Sequence, residues 1–253
     1  MLVSNDLDIV GLIRSSSNIL VFTGAGISTS SGIPDYRSEG GFWSRHEPVL
    51  YRDFMSSVGA RREQWSQDLE IWDKFKGIQP SATHNVIYDL DCAGKLGLVV
   101  TQNIDGLHVK AGNSPDKVVE IHGSNSTVEC QICGSQHDTE TQLNRFSETG
   151  HPPECFCGGF LKTSTVIFGQ PLVQGEFDRA MGAAYRADLV ISLGSTLSVE
   201  PANTIPLSAS DGGRVPYIII NRGETRHDGL EEVTFRLDGD VDDIFPELVG
   251  MAI

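Results

Sequence analysis

The chain has 253 residues, 39% hydrophobic and 21% charged, a composition that allows a sizeable core and excludes an intrinsically disordered chain. No apolar run approaches the roughly 20 residues of a membrane span, and the first residues lack the pattern of a secretory signal, so we expect a cytoplasmic protein without a membrane partner. The formal net charge of −15 makes direct nucleic acid binding unexpected, although acidity also serves solubility or a salty habitat.

Strands and helices are predicted to alternate along most of the chain. Helical apolar patterns occur at 6–16 and 81–93, the second with Ser81 as a plausible cap. Continuous apolar segments predict strands buried on both faces, each ending in a glycine-rich or polar loop, at 18–23, 96–101, 187–193 and 215–220. This alternation predicts a doubly wound α/β fold, in which the four loops converge on one crevice at the carboxyl ends of the strands.

Two segments interrupt the alternation and are interpreted as insertions into the α/β core. Residues 36–80 are rich in aromatic and charged side chains and predict a helical cap. Residues 130–157 carry paired cysteines around a polar middle.

Four of the five cysteines form two close pairs, each followed by glycine, namely Cys130 with Cys133 and Cys155 with Cys157. Four thiolates in two pairs are typical of a closed, tetrahedral structural zinc site, and a reversible dithiol pair is the alternative. His137 and His151 lie between the pairs and could replace a ligand, but we interpret them as loop residues. Cys92 is interpreted as a small buried hydrophobic residue.

Polar and glycine loops supply the candidate binding residues. Gly24, Ala25 and Gly26 follow the first strand, but the next glycine is Gly32, so neither the G-x-G-x-x-G nor the P-loop spacing is present. The loop still indicates phosphate binding by backbone amides.

Two further loops follow predicted strands. In the first, 102–105 (QNID), the amides and the carboxylate could hold a carboxamide or ribose hydroxyls. Asp105 is equally expected to cap the following turn. In the second, His122 follows the apolar run 118–121 and is a candidate general base near pH 7. A purely structural histidine is the alternative, and His108 competes for the role.

Taken together, these motifs resemble the sirtuins. The four cysteines and seven segments occur in the family's order: 24–28 (GAGIS), 31–37 (SGIPDYR), 101–108 (TQNIDGLH), 122–123 (HG), 166–169 (VIFG), 194–202 (GSTLSVEPA) and 221–222 (NR). The resemblance extends from about Ile19 to Val241, which is nearly the whole chain.

The resemblance implies a Rossmann-type doubly wound parallel sheet with a small domain formed by a zinc-binding module and a helical module. The expected boundaries are 1–35, 81–125 and 162–253 for the NAD-binding domain, 36–80 for the helical module and 126–161 for the zinc-binding module. It also implies NAD as a co-substrate and one structural zinc ion, held by Cys130, Cys133, Cys155 and Cys157.

The resemblance further implies residue roles. His122 and Asn103 would be catalytic. An extended substrate backbone would bind by strand addition to Val166, Ile167, Phe168 and Gly169. NAD would contact Gly24, Ala25, Gly26, Asp35, Tyr36, Arg37, Gln102, Asn103, Ile104, Asp105, Gly194, Ser195, Ser198, Asn221, Arg222 and Val241.

The implied activity is NAD-dependent removal of an acyl group, acetyl first, from lysine in proteins. In the family mechanism the acyl oxygen attacks the anomeric carbon as nicotinamide leaves, and His122 takes a proton from a ribose hydroxyl. The products are nicotinamide, free lysine and O-acyl-ADP-ribose. Protein ADP-ribosyl transfer or NAD hydrolysis in the same pocket is the alternative, and a non-enzymatic zinc module is a third hypothesis.

Several residues depart from the family pattern. Tyr36 stands where many relatives carry Phe, and Ser195-Thr196 reverses the usual order. Thr163, Thr165 and Gln170 also differ, which leaves the peptide preference open. Relatives that prefer acidic acyl groups carry a Tyr-x-x-Arg pair, whose nearest match here, 58–61 (VGAR), lacks the Tyr. We therefore predict acetyl or apolar acyl groups over succinyl.

Overall fold

A computed structural model describes residues 4–34 and 41–253 and contains a parallel sheet of six strands. These strands are β1 (Ile19–Thr23), β2 (Leu96–Thr101), β3 (Val118–Glu120), β7 (Leu189–Leu193), β8 (Tyr217–Asn221) and β9 (Phe235–Asp238). Their order across the sheet is β3-β2-β1-β7-β8-β9. When they are renumbered within the sheet, this is the order 3-2-1-4-5-6 of the Rossmann fold, which confirms the predicted class.

Helices cover both faces of this sheet. One face packs against α1 (Ser4–Ser15), α4 (Ala82–Cys92) and α9 (Val241–Ala252), and the other against α7 (Gln174–Ala184) and α8 (Thr204–Ser210). The three central strands β1, β7 and β8 are buried at every position, as continuous apolar segments predict. None of the helices in the described part of the chain is both long and apolar enough to cross a membrane.

A second, antiparallel sheet lies outside this layer arrangement. It has the order β5-β4-β6 and is formed by β4 (Gly123–Cys130), β5 (Gln136–Asp138) and β6 (Leu161–Thr165). Its core consists of Trp65, Val128, Cys130, Leu143, Phe146 and Leu161. The helices that pack here are α3 (Val58–Phe75) and α6 (Thr139–Thr149); α2 (Tyr51–Ser56) precedes α3, and α5 (Leu107–Ala111) follows β2.

Short 3-10 helices complete the connections, at Ala25–Ser28, Phe42–Ser44 and Pro115–Lys117. The predicted cap Ser81 is confirmed, because its hydroxyl accepts from the backbone N–H of His84 while the His84 ring accepts from the Ser81 backbone N–H. Cys92 was predicted to be buried, and this is wrong: it is the last residue of α4 and is exposed. The apolar stripe of the helix ends before it.

Asp242, in the first turn of α9, joins three segments. Its Oδ1 accepts from the backbone N–H of Thr83 at 2.8 Å and from Ser81 Oγ at 3.0 Å, and Ser30 Oγ donates to Oδ2. Burial alone would raise the pKa of Asp242, but the hydrogen bonds from Ser30, Thr83 and Ser81 hold that pKa below its usual value. The carboxylate therefore caps α4 and ties it to the loop after β1.

Replacing Asp242 with Asn is expected to lower the free energy of unfolding by about 1 kcal/mol at pH 7, and Tm by about 2–4 °C. Because the folded pKa is lowered, the stabilisation is fully present above the unfolded pKa of about 4 and is lost as the pH falls through the folded value. Urea unfolding at pH 7 and pH 3 tests this, with the exposed neighbour as the matched control Asp243→Asn. An equal loss of stability at both pH values would contradict the assignment.

Candidate active site and zinc centre

A cavity of about 1020 Å³ lies at the carboxyl ends of β1, β2, β7 and β8. The chain leaves β1 toward β2 on one side, while β7 lies on the other side of β1, so the cavity is at the switch point of the sheet. This is where open α/β sheets bind their ligands. The loops predicted to converge do so.

The loops after β1 and β7 pack backbone to backbone. The N–H of Gly24 donates to Leu193 O at 3.0 Å, and the N–H of Gly26 donates to Gly194 O at 2.8 Å. A Cβ at Gly26 would lie 2.7 Å from Gly194 Cα, and one at Gly194, whose φ is 60°, would lie 2.6 Å from the backbone N of Ile27. Only glycine permits this contact, and it leaves main chain exposed to the cavity.

Gln102 links the histidine to the loop after β7. Its backbone carbonyl lies 3.1 Å from His122 Nδ1, and its side-chain Oε1 accepts from Ser195 Oγ at 2.7 Å. Because a carbonyl oxygen can only accept, Nδ1 of His122 carries the hydrogen, and a neutral ring then has its lone pair on Nε2. In this tautomer Nε2 can accept a proton, so the ring can act as a base through Nε2.

Asn103 is 5% exposed and is held by the same loops. Its Nδ2 donates to Gly24 O at 3.2 Å and to Ser28 Oγ at 3.1 Å, which leaves Oδ1 as the acceptor of the amide. Asp105 accepts from Ser28 Oγ at 2.8 Å and from the backbone N–H of Leu107 at 3.0 Å. Asp105 therefore has the predicted capping role, and it also orients Ser28 beneath Asn103.

Most of the predicted binding residues in the described part of the chain line this one cavity. Asp35, Tyr36 and Arg37 lie outside the described residues, and Asp105 and Ser198 are not among the described lining residues. The lining residues predicted from the sequence are Gly24, Ala25, Gly26, Gln102, Asn103, Ile104, His122, Val166, Ile167, Phe168, Gly169, Gly194, Ser195, Asn221, Arg222 and Val241.

The segment 166–169 follows β6 and does not itself form a strand in this structure. The N–H of Val166 donates to His122 O at 2.7 Å, which sets the start of the segment beside the histidine. A turn at Phe168 and Gly169, with φ of 80° at Gly169, ends the extended backbone. The backbone N–H of Tyr51 donates to Phe168 O at 2.8 Å and fixes that turn against α2.

Sequence reasoning missed the residues of α3 that line the cavity, which are Gln64, Asp68 and Ile71. Their spacing of i, i+4 and i+7 places them on one helix face, a pattern that was present in the sequence. The sequence comparison with relatives that prefer acidic acyl groups indicated 58–61 instead. Its Arg61 donates to Phe54 O at 2.9 Å, stacks over the Phe160 ring and is not among the described lining residues.

His108, which competed with His122 for the role of general base, lies in the protein interior, as do His84 and His227. His108 is 1% exposed, and its Nε2 is 3.0 Å from Thr23 Oγ1; His84 is completely buried and caps α4. Burial lowers the pKa of His108 well below its usual value, an effect that the neighbouring His84 increases. His227 is 2% exposed, and its Nδ1 lies 3.1 Å from Tyr217 Oη. These histidines have structural contacts, whereas His122 lines the cavity.

The four paired cysteines form a compact cluster at the end of the small sheet. All four Sγ atoms lie within 4.8 Å of one another. The Sγ atoms of Cys130 and Cys157 are 3.5 Å apart, and those of Cys133 and Cys155 are 3.8 Å apart. A tetrahedral zinc ion with Zn–S bonds of about 2.3 Å separates its sulfur ligands by about 3.8 Å. The cluster therefore fits one zinc ion.

Tight turns at both pairs shape this cluster. The N–H of Gly134 donates to Cys130 O at 3.0 Å, and the N–H of Gly158 donates to Cys155 O at 2.9 Å. Gly134 and Gly158 have φ values of 70° and 82°, so glycine relieves the strain of each turn. His137 contacts Ser135 and does not belong to the four-sulfur group, so the four cysteines are the ligand set, but its interpretation as a loop residue is wrong because it lies in β5.

A sequence profile described as the Sir2 family matches residues 24–201. The chain belongs to the Sir2 family. This sirtuin is 40% identical over 228 residues to the NAD-dependent protein deacetylase of Rhodopseudomonas palustris, covering 90% of each chain. It is 36% identical over 264 residues to the NAD-dependent protein deacylase Sirt4 of Drosophila melanogaster, covering 92% of this chain and 83% of the relative.

Solved structures agree with the sirtuin assignment. A complex described as Sir2-p53 peptide-NAD+ superposes with a TM-score of 0.83 at 32% identity, covering 98% of this chain and 97% of the other. A structure of Sir2Tm bound to a propionylated peptide gives a TM-score of 0.83 at 31% identity, covering 98% and 99%.

Proposed function

We propose that this sirtuin removes acyl groups, acetyl first, from lysine side chains of proteins and consumes NAD in doing so. The products are nicotinamide, free lysine and O-acyl-ADP-ribose. The observation that carries the proposal is the placement of His122, Asn103 and the two glycine loops around one cavity at the switch point of the sheet. Relatives named as NAD-dependent protein deacetylases, at up to 40% identity among those compared, support the same activity.

NAD is the co-substrate, and the residues present suit it. Gly24, Gly26 and Gly194 line the cavity without side chains, so phosphates could approach the main chain there. Gln102, Ile104, Ser195, Asn221, Arg222 and Val241 would line the rest of the NAD site, and Asp35, Tyr36, Arg37, Asp105 and Ser198 remain proposed contacts on the family pattern. When bound, NAD supplies an anomeric carbon that receives the acyl oxygen as nicotinamide leaves.

His122 would act as the general base. Its Nδ1 is 3.1 Å from the Gln102 carbonyl, which orients the ring and keeps the lone pair on Nε2. We propose that Nε2 accepts the proton of a ribose hydroxyl during the reaction. Asn103 would present Oδ1 to the cavity from a position fixed by two hydrogen bonds, so that positioning, more than a protein nucleophile, drives the chemistry.

The acylated lysine would enter along residues 166–169. Val166 continues from β6 beside His122, and Val166, Ile167, Phe168 and Gly169 would pair with the extended backbone of the substrate. The segment belongs to no strand of the protein, so we propose that its backbone is available to pair with the substrate.

Zinc has a structural role. Cys130, Cys133, Cys155 and Cys157 would fill all four ligand positions of a tetrahedral zinc ion, so no position would remain for a reacting group. We propose boundaries of 1–35, 81–125 and 162–253 for the NAD-binding domain, 36–80 for the helical module and 126–161 for the zinc module. We also propose a cytoplasmic location, where thiols stay reduced, and partners that are acylated proteins and not nucleic acids.

The test is incubation of the purified protein with NAD and an acetyl-lysine peptide, with products identified by mass spectrometry. Nicotinamide, deacylated peptide and O-acetyl-ADP-ribose should form in equal amounts, and omission of the peptide should stop nicotinamide release. Free ADP-ribose, or ADP-ribose attached to protein, formed without dependence on an acylated peptide would instead assign NAD hydrolysis or ADP-ribosyl transfer.

A further inference from the structure

An acidic side chain lies in the wall of the cavity. Asp68, on α3, is 2% exposed and lines the cavity together with Gln64 and Thr165, which are each 6% exposed. A buried carboxylate is costly unless other groups satisfy it, so its partners define what this wall presents to a ligand.

The packing of α3 along β6 positions Asp68. Trp65 Nε1 donates to Leu161 O at 3.1 Å, and Thr163 Oγ1 donates to Asp68 Oδ2 at 3.0 Å. Trp65 and Asp68 are three residues apart on the helix, and their partners Leu161 and Thr163 are two residues apart on the strand, so the helix runs alongside the strand. Gln64, one turn earlier on the helix, donates from Nε2 to Asp68 Oδ1 at 2.8 Å.

The hydrogen bonds of this wall run in one direction. An ionised carboxylate only accepts, so Thr163 gives Asp68 its single hydroxyl hydrogen. The hydroxyl oxygens of Thr163 and Thr165 are 3.0 Å apart, so Thr165 must donate to Thr163. The hydroxyl of Thr165 then offers only lone pairs to the cavity.

The charge state of Asp68 fixes this direction. Burial raises its pKa to about 6, against the lowering effects of Gln64, Lys162 and Thr163, so the carboxyl is mostly ionised at pH 7.5. Burial also lowers the pKa of Lys162 to about 8, an effect that Asp68 opposes. Lys162 Nζ donates to the carbonyls of Thr163, at 2.7 Å, and Thr165, and Lys162 is not among the described residues that line the cavity.

This acceptor wall, formed by Asp68, Thr163 and Thr165, adjoins the reacting centre. Thr165 is the strand partner of Gly123, which directly follows His122. The next residue, Val166, donates its N–H to His122 O at 2.7 Å. An acyl group on a lysine held beside His122 therefore has Thr165 within the same cavity wall.

We propose that the acceptor wall makes this enzyme selective for acyl groups that carry a hydroxyl, over acyl groups of the same length without one, and against acyl groups that end in a carboxylate. The inference rests on the proposed deacylation and names its substrate class. A ligand hydroxyl can donate to Thr165 Oγ1, whereas an apolar chain leaves that acceptor without a ligand donor. A second carboxylate near Asp68 is repelled.

The substrates for the test are one peptide whose lysine is butyrylated, 3-hydroxybutyrylated or succinylated, assayed with NAD at pH 7.5. The wild-type protein should give a kcat/KM for 3-hydroxybutyryl about 5- to 10-fold above that for butyryl, with succinyl lowest. The Thr165→Val variant should lower the first ratio to about 1, because valine has the same shape and no acceptor. Thr165→Ser, the matched control, should restore a ratio above 1.

Each outcome decides one point. A wild-type ratio of 1 or less would overturn the inference while leaving deacylation intact. A ratio that survives in Thr165→Val would remove Thr165 from it. An Asp68→Asn variant should raise succinyl turnover relative to butyryl, and no change there would overturn the role of the carboxylate. Turnover of none of the acylated peptides would overturn the proposed function itself, and the inference with it.

Discussion

Replacement of His122 by Ala is expected to lower kcat/KM for deacylation by about 10²- to 10⁴-fold, the usual contribution of a positioned general base. The ring is oriented by Gln102 O at 3.1 Å and lines the cavity, and in the proposed mechanism its loss removes the acceptor for the ribose proton. In the proposed mechanism, cleavage of nicotinamide precedes that proton transfer and does not use the ring. Exchange of labelled nicotinamide into NAD, with an acetylated peptide present, should therefore persist.

The control is His151→Ala, which removes an exposed histidine from the zinc-binding segment and should leave both reactions unchanged. Zinc content and Tm of the His122 variant should equal those of the wild type. If exchange and deacylation fell together by the same factor, His122 would be needed for the first step, and its assignment as the later base would be wrong.

Replacement of Cys130 by Ser is expected to remove zinc and to unfold the small sheet with its packed helices. Metal binding contributes about 10–16 kcal/mol in zinc-finger peptides, a free energy that here becomes folding energy of the surrounding segment. Cys130 is 2% exposed and also belongs to the core formed with Trp65 and Leu161. Zinc per chain should fall from one toward zero, Tm should drop, and deacylation should be lost.

Cys92→Ser is the matched control, because Cys92 is the one cysteine outside the four-sulfur cluster and is exposed on α4. Metal analysis, thermal unfolding and deacylation would be measured on both variants. A Cys130 variant that lost zinc but kept the wild-type Tm and activity would show that the metal does not hold this part of the fold together.

The sheet was predictable from the sequence because its central strands are buried on both faces. β1 and β7 are apolar along nearly their whole length, and short continuous apolar segments between polar loops are typical of strands in a covered parallel sheet. β9 was missed because its residues are only partly buried and alternate apolar with charged side chains. The cysteine cluster was predictable because ligand spacing is local in the chain.

The acceptor wall was not predictable in the same way. Asp68 and Thr163 are 95 positions apart, and nothing local indicates that they form a hydrogen bond. The sequence marked Thr163 and Thr165 as departures from the family and linked them to peptide preference. Because both are buried against α3 and Thr165 lines the cavity, we link them to the proposed acyl site instead. The acidic-acyl pattern was matched to 58–61 by residue identity alone. Which face of α3 lines the cavity depends on the orientation of the helix, and the sequence does not show that orientation.

Helix α3 belongs to two parts of the molecule at once. Trp65 packs with Cys130 in the core beside the metal cluster, and Asp68, one turn later, faces the cavity. We therefore expect that binding of a zinc ion at the cysteine cluster and binding of an acylated lysine in the cavity are coupled through α3, which packs beside both sites. By reciprocity, whatever factor the ion adds to the affinity for the acyl chain, the acyl chain adds to the affinity for the ion.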